Sequence, residues 1–155
     1  MSKKKQLFIA VVGAGKCSQK MKDLAEKVGR TIAENGGILV CGGLGGVMEA
    51  AAKGAKSKKG ITIGILPGET REEANEFIDI AIPTGIGDAR NLIVIRAADA
   101  VVALPGKFGT LSEMAFCLKL EKPLVSLSAW HISETIEEFD DPVKAALKAL
   151  ELAGK

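Results

Sequence analysis

Pro105-Gly106-Lys107-Phe108-Gly109-Thr110-Leu111-Ser112-Glu113 spaces glycines, a hydroxyl and a carboxylate so that one loop could seat an anion and act beside it. Glycine lacks a Cβ, so its backbone turns sharply and brings N–H groups close to a ligand. A helix start adds unpaired N–H groups and partial positive charge, which together make an anion seat. A second stretch, Val40-Cys41-Gly42-Gly43-Leu44-Gly45-Gly46-Val47-Met48-Glu49, packs four glycines across another strand-to-helix junction. Two such seats in one small domain point to a phosphorylated ligand held between them, with Glu113 facing whatever the phosphate anchors. Each has a purely structural alternative. Close helix–strand packing accounts for the Gly42–Gly46 loop, and Thr110 with Glu113 has the spacing of a capping box.

Gly13-Ala14-Gly15 forms a third glycine turn, and Asp88-Ala89-Arg90-Asn91 places a cation near a helix start beside Gly85 and Gly87. A cation there opposes the helix dipole, so Arg90 reads either as a surface arginine or as a ligand contact. Ser18 stands where a dinucleotide fingerprint needs its third glycine, and Cys41 where the ribose-binding acid belongs, which counts against classical NAD binding. The lysine that closes a Walker A loop is missing too.

The elements that must position these residues alternate. Gln6–Val12 reads as a buried strand, and Ser18 as the N-cap of a helix closed by Asn35-Gly36-Gly37. Strands follow at Ile38–Cys41, Ile61–Leu66, Phe77–Ile82, Ala100–Leu104 and Leu124–Leu127, the last of the core. Helices are expected over Gly46–Lys56, from near Asp88, over Gly109–Leu120, and from Asp141-Pro142 to the C-terminal end, with a polar surface loop at Glu69–Asn75. Alternating apolar strands and helices specify an α/β fold: a single Rossmann-like, doubly wound domain over residues 1–155 with a predominantly parallel sheet. Ligands bind such sheets beyond the carboxyl ends of the strands, where all three glycine turns fall.

Composition narrows the class. A net charge of +2 is too small to call for a polyanion, and the basic start Lys3-Lys4-Lys5 reads as a solvated terminus. Cys17, Cys41 and Cys117 fit neither a disulfide framework nor a zinc site, so a cytoplasmic setting is expected. No apolar run approaches the ~20 residues that cross a bilayer. His131 is the single histidine, which disfavours Ser-His-Asp catalysis and multi-histidine metal sites. Aromatic residues are 4% with no tyrosine, leaving few platforms for single-stranded nucleic acid.

The glycine loop Cys41–Glu49, then Arg90-Asn91, then Pro105–Glu113 together resemble the LOG-like superfamily, whose signatures are GGGxxGLMG, an Arg-Lys pair on a helix and PGGxGTxxE. Order and spacing match over roughly Phe8–Leu127. The superfamily is often mislabelled lysine decarboxylase, and it is distantly similar to the DprA/Smf nucleotide-binding fold. Lysine decarboxylation finds no support here, since no lysine has a pyridoxal Schiff-base context. LOG proteins are phosphoribohydrolases that release free base and ribose 5-phosphate from a nucleoside 5′-monophosphate. The resemblance implies phosphate cradling by Gly43, Gly46, Gly109 and Thr110, and a catalytic pair in Arg90 and Glu113. A carboxylate near C1′ would stabilise an oxocarbenium-like state, with no metal or organic cofactor required. Gly13, Gly15, Gly42, Gly45, Asn91, Gly106 and Lys107 complete the expected phosphate or nucleotide contacts.

The chain departs from the hydrolase pattern at several of these positions. Asn91 replaces the lysine, Gly87 the usual methionine before the arginine, Lys107 a glycine of PGG, and Cys41 and Glu49 the outer glycines of the first loop. Asn91 and the stretch Ile78-Asp79-Ile80-Ala81-Ile82-Pro83-Thr84-Gly85 look closer to the branch resembling molybdenum-cofactor carrier proteins, which bind a phosphorylated pterin without a known reaction. The expectation is a phosphoribohydrolase-like nucleotide-binding protein. Its alternative is a non-catalytic carrier of molybdenum cofactor or nucleotide. Relatives pair through helices, and the apolar run Leu92-Ile93-Val94-Ile95 reads either as core or as the contact of a homodimer or homotetramer.

Overall fold

Seven parallel strands form one sheet in the order β4-β3-β2-β1-β5-β6-β7, in a computed structural model that describes residues 4–155. The strands are β1 (Phe8–Val12), β2 (Ile38–Cys41), β3 (Thr62–Leu66), β4 (Ile80–Pro83), β5 (Ala100–Ala103), β6 (Leu124–Leu127) and β7 (Glu137–Phe139). The helices are α1 (Gln19–Glu34), α2 (Val47–Ser57), α3 (Arg90–Ala97), α4 (Phe108–Lys119) and α5 (Pro142–Ala153). The doubly wound α/β reading therefore holds. Central strands are apolar along their whole length because helices cover both faces. On β1, Ile9 and Val11 point into the cluster under α1, α2 and α5, while Ala10 and Val12 point into the one under α3 and α4.

Local signals fix the helix ends. Ser18 Oγ accepts from the Met21 N–H at 3.2 Å, and Asp141 Oδ1 from the Val143 N–H at 2.8 Å, with Pro142 opening α5. Between α1 and α2, Gly29 and Gly54 bring backbone against backbone. A Cβ at Gly29 would fall on the carbonyl of Ala51, and one at Gly54 on that of Glu26.

Several expected boundaries shift. Strand β7 was not foreseen: Glu137 and Glu138 are charged and exposed, the usual dress of an edge strand, and carry no apolar signal. β4 begins at Ile80 rather than Phe77, because Asn75 and Asp79 hold the approach in a turn. Lys107 is the N-cap of α4, so Thr110 lies inside the helix and the capping box does not form. Val94 and Ile95 are buried in the core and Leu92 is partly covered, while Ile93 stays exposed. Lys5 reaches Asp99 at 3.8 Å, and Lys3 lies outside the described residues. No helix among the described residues is long and apolar enough to cross a membrane.

Candidate functional site

β1 and β5 are neighbours whose chains leave toward opposite faces, β1 into α1 and β5 into α4. Such a switch point opens a crevice at the carboxyl edge of a sheet. Here it is a cleft of about 460 Å³, within the range of small-molecule sites. The three glycine turns meet at its floor. The Ala14 N–H donates to the Pro105 carbonyl at 3.0 Å, and the Val47 N–H to the Ala14 carbonyl at 2.9 Å.

Of the expected contacts, Gly13, Gly15, Gly45, Arg90, Asn91, Lys107, Gly109, Thr110 and Glu113 line the cleft. Gly42, Gly43, Gly46 and Gly106 stand behind it, where they make room. A Cβ at Gly42 would fall on the Arg90 guanidinium, and one at Gly106 on Thr110 Oγ1. Gly46 sits at φ +64°, where a Cβ would fall on the Ala14 carbonyl. Ala14, Lys16, Leu44, Met48 and Asp88 also line the cleft and were not singled out from the sequence. Lys16 and Leu44 adjoin the glycine turns and could have been found by adjacency. Met48 stands at the methionine of the GGGxxGLMG signature and Asp88 heads the Asp88–Asn91 stretch, so both were within reach of the motifs.

The backbone offers donors from two sides. The N–H groups of Leu44, Gly45 and Gly46, and those of Lys107 to Thr110, find no acceptor among the described residues. Arg90, only 8% exposed, donates from Nη1 to Asn91 Oδ1 at 3.0 Å, and its buried Nε finds no partner. Asn91 in turn donates from Nδ2 to Ser112 Oγ at 3.3 Å, which ties α3 to α4. A buried guanidinium lining a cleft is a donor site for an anion or a carbonyl oxygen.

Glu113 is 6% exposed and forms no ion pair with Arg90. Burial pushes its carboxyl up to about 8, with the Arg90 charge pulling the other way. At neutral pH it carries a proton and can donate a hydrogen bond. Burial likewise pushes the Cys41 thiol up to about 11 and Cys117 to about 12, so neither is a thiolate nucleophile at neutral pH. Among the described residues no group of three or more His, Cys, Asp or Glu could hold a metal ion.

The family model for the SLOG cluster4 family matches residues 6–152. The chain belongs to the SLOG cluster4 family. Among solved SLOG-like structures, the molybdenum cofactor binding protein of Rippkaea orientalis superposes with a TM-score of 0.88 at 33% identity, over 95% of this chain and 96% of that one. The molybdenum cofactor carrier protein of Chlamydomonas reinhardtii superposes with a TM-score of 0.87 at 33% identity, over 97% of this chain and all of that one (100%). The cytokinin riboside 5′-monophosphate phosphoribohydrolase of Mycobacterium tuberculosis is 36% identical over 118 residues, which is 70% of this chain and 63% of that protein. The resemblance read from the glycine loops is thereby shown, and a binding or carrier role fits this SLOG member better than the hydrolase reading.

Proposed function

We propose that this protein binds a phosphorylated heterocycle between its glycine loops and carries it intact, and that a phosphorylated pterin of the molybdenum-cofactor type is the cargo. The buried Arg90 guanidinium lining the cleft carries this reading, because it supplies a desolvated cation that pairs with no carboxylate among the described residues. Leu44, Gly45, Lys107, Gly109 and Thr110, whose N–H groups find no acceptor among the described residues, line the same cleft, and Lys16 and Lys107 add charge at its rim. A neutral Glu113 neither repels the phosphate nor supplies the anionic charge that an oxocarbenium-like state gains from, and its O–H can meet a ring nitrogen or carbonyl of the cargo. Two solved proteins that match over nearly their whole length, those of Rippkaea orientalis and Chlamydomonas reinhardtii, bind or carry molybdenum cofactor, which supports the same assignment.

Hydrolysis of a nucleoside 5′-monophosphate is the second reading. The observation in its favour is that Arg90 and Glu113 line one cleft in the order of the hydrolase motif. One experiment separates the two: the protein is incubated with AMP and with 6-hydroxymethylpterin phosphate, with calorimetry for binding and chromatography for products. Binding with the ligand recovered intact is the expected result. Release of base and ribose 5-phosphate, abolished in Glu113→Gln, would overturn it.

The same reading includes a homo-oligomer in the cytoplasm. Ile93 of α3 and Ile80 and Ile82 of β4 are exposed on the sheet face that bears α3 and α4, and all three cysteines are free thiols. Light scattering at micromolar concentration should return a dimer or tetramer mass; a monomer mass refutes it.

A further inference from the structure

Residues 67–79 connect β3 to β4 across the mouth of the glycine loop, and one side chain in that connection grips the loop. Asn75 Nδ2 donates to the Leu44 carbonyl at 2.8 Å and to the Gly43 carbonyl at 3.3 Å. Its own backbone N–H donates to the Gly43 carbonyl at 2.9 Å. Its Oδ1 accepts from the Phe77 N–H at 3.0 Å, so both ends of the amide are engaged and its orientation is set.

We infer that Asn75 is a positioning residue for the ligand site: by holding the Gly43 and Leu44 carbonyls on its own side, it turns the Leu44 and Gly45 N–H groups into the cleft. Peptide geometry dictates this orientation. In a trans peptide plane the carbonyl of one residue and the N–H of the next point in opposite directions. Capturing the Gly43 carbonyl therefore fixes the Leu44 N–H, and capturing the Leu44 carbonyl fixes that of Gly45. Leu44 and Gly45 line the cleft, and neither N–H has another acceptor. Gly43 stands at φ +77°, a conformation open to glycine, so this loop has little intrinsic preference for one peptide orientation. The Asn75 backbone N–H supplies that preference for the Gly43–Leu44 plane, and its side-chain amide supplies it for the Leu44–Gly45 plane. Without the amide the Leu44–Gly45 plane is free to flip and present a carbonyl oxygen to the phosphate.

This inference rests on the phosphate-binding reading above, and the test separates the two. Backbone amide signals of the ¹⁵N-labelled full chain are followed by NMR during titration with inorganic phosphate, for wild type and Asn75→Asp. The aspartate keeps the acceptor for Phe77 but removes both side-chain donors. In the wild type the Leu44 and Gly45 amides should shift together with Gly109 and Thr110. In Asn75→Asp the Gly45 response should be lost and phosphate affinity reduced at least about tenfold, while Leu44, whose peptide plane the Asn75 backbone N–H still holds through the Gly43 carbonyl, responds with Gly109 and Thr110. Unchanged affinity in the variant overturns the inference. Should the variant not fold, the wild type decides alone. Silence of Leu44 and Gly45 beside a response at Gly109 and Thr110 overturns the role of Asn75 only. Silence at every loop overturns the phosphate reading and this inference with it.

Discussion

Replacing Glu113 by Gln should change how stability depends on pH, with a sign fixed by burial. In the unfolded chain this carboxyl titrates near 4.5, and in the folded protein at about 8. Between those values the folded state holds a proton that the unfolded state has released, so stability falls as pH rises. Below pH 4.5 both states are protonated and the group costs nothing. At pH 7 the wild type has lost roughly 3 kcal/mol through this residue, and above pH 8 roughly 5, at about 1.4 kcal/mol per pH unit. Gln is isosteric with the protonated acid and does not titrate. Glu113→Gln should therefore match the wild type near pH 4 and exceed it progressively toward pH 9. Urea unfolding at pH 5, 7 and 9 measures the difference directly. Equal stability of the two proteins at pH 9 would refute the reasoning, since Glu113 would then be ionised and well solvated in the folded state.

Three further outcomes follow from the geometry. Gly46→Ala should lower stability by about 1–3 kcal/mol and abolish ligand binding, because the left-handed turn and the Ala14 carbonyl both reject a Cβ; denaturation and calorimetry check it. Arg90→Leu should weaken phosphate binding about a hundredfold while leaving the melting temperature unchanged or higher, since it removes a buried charge whose Nε has no partner. Asp141→Ala should cost about 1 kcal/mol through loss of the α5 cap, with phosphate affinity untouched, which makes it a control for the other two.

Most of the scaffold was legible because its signals are local and repeat. Apolar strands ending in glycine turns at Gly13, Gly42 and Gly106 gave the sheet, its edge and the place of the cleft. Ser18 and Asp141 announced their helices by side-chain chemistry alone. What escaped depends on contacts between segments far apart in the chain. Asn75 lies in a polar stretch with no motif, and its meaning appears only when Gly43 and Leu44, more than thirty residues earlier, come to rest against it. Glu137–Phe139 pairs with β6 through backbone groups that any sequence carries. Lys122 gives its ammonium to the carbonyl of Ala98, just past the end of α3, a contact with no signature in either segment. Thr110 was placed one turn too early because the glycine at 109 reads as a boundary, whereas the helix starts before it.

Backbone contact between α1 and α2 at Gly29 and Gly54 has a mechanical consequence. Helices that touch through main-chain atoms have no side-chain layer to shear, so the two move as one block. That block carries the loop entering α1, with Gly13 and Gly15, and the loop entering α2, with Gly45. Arg90 and Glu113 ride α3 and α4 on the opposite face of the sheet, linked to each other through Asn91 and Ser112. Breathing of the cleft would therefore be a hinge between two stiff jaws, with β1 and β5 as its spine, and under the proposed function a phosphate gripped by both jaws would act as the latch.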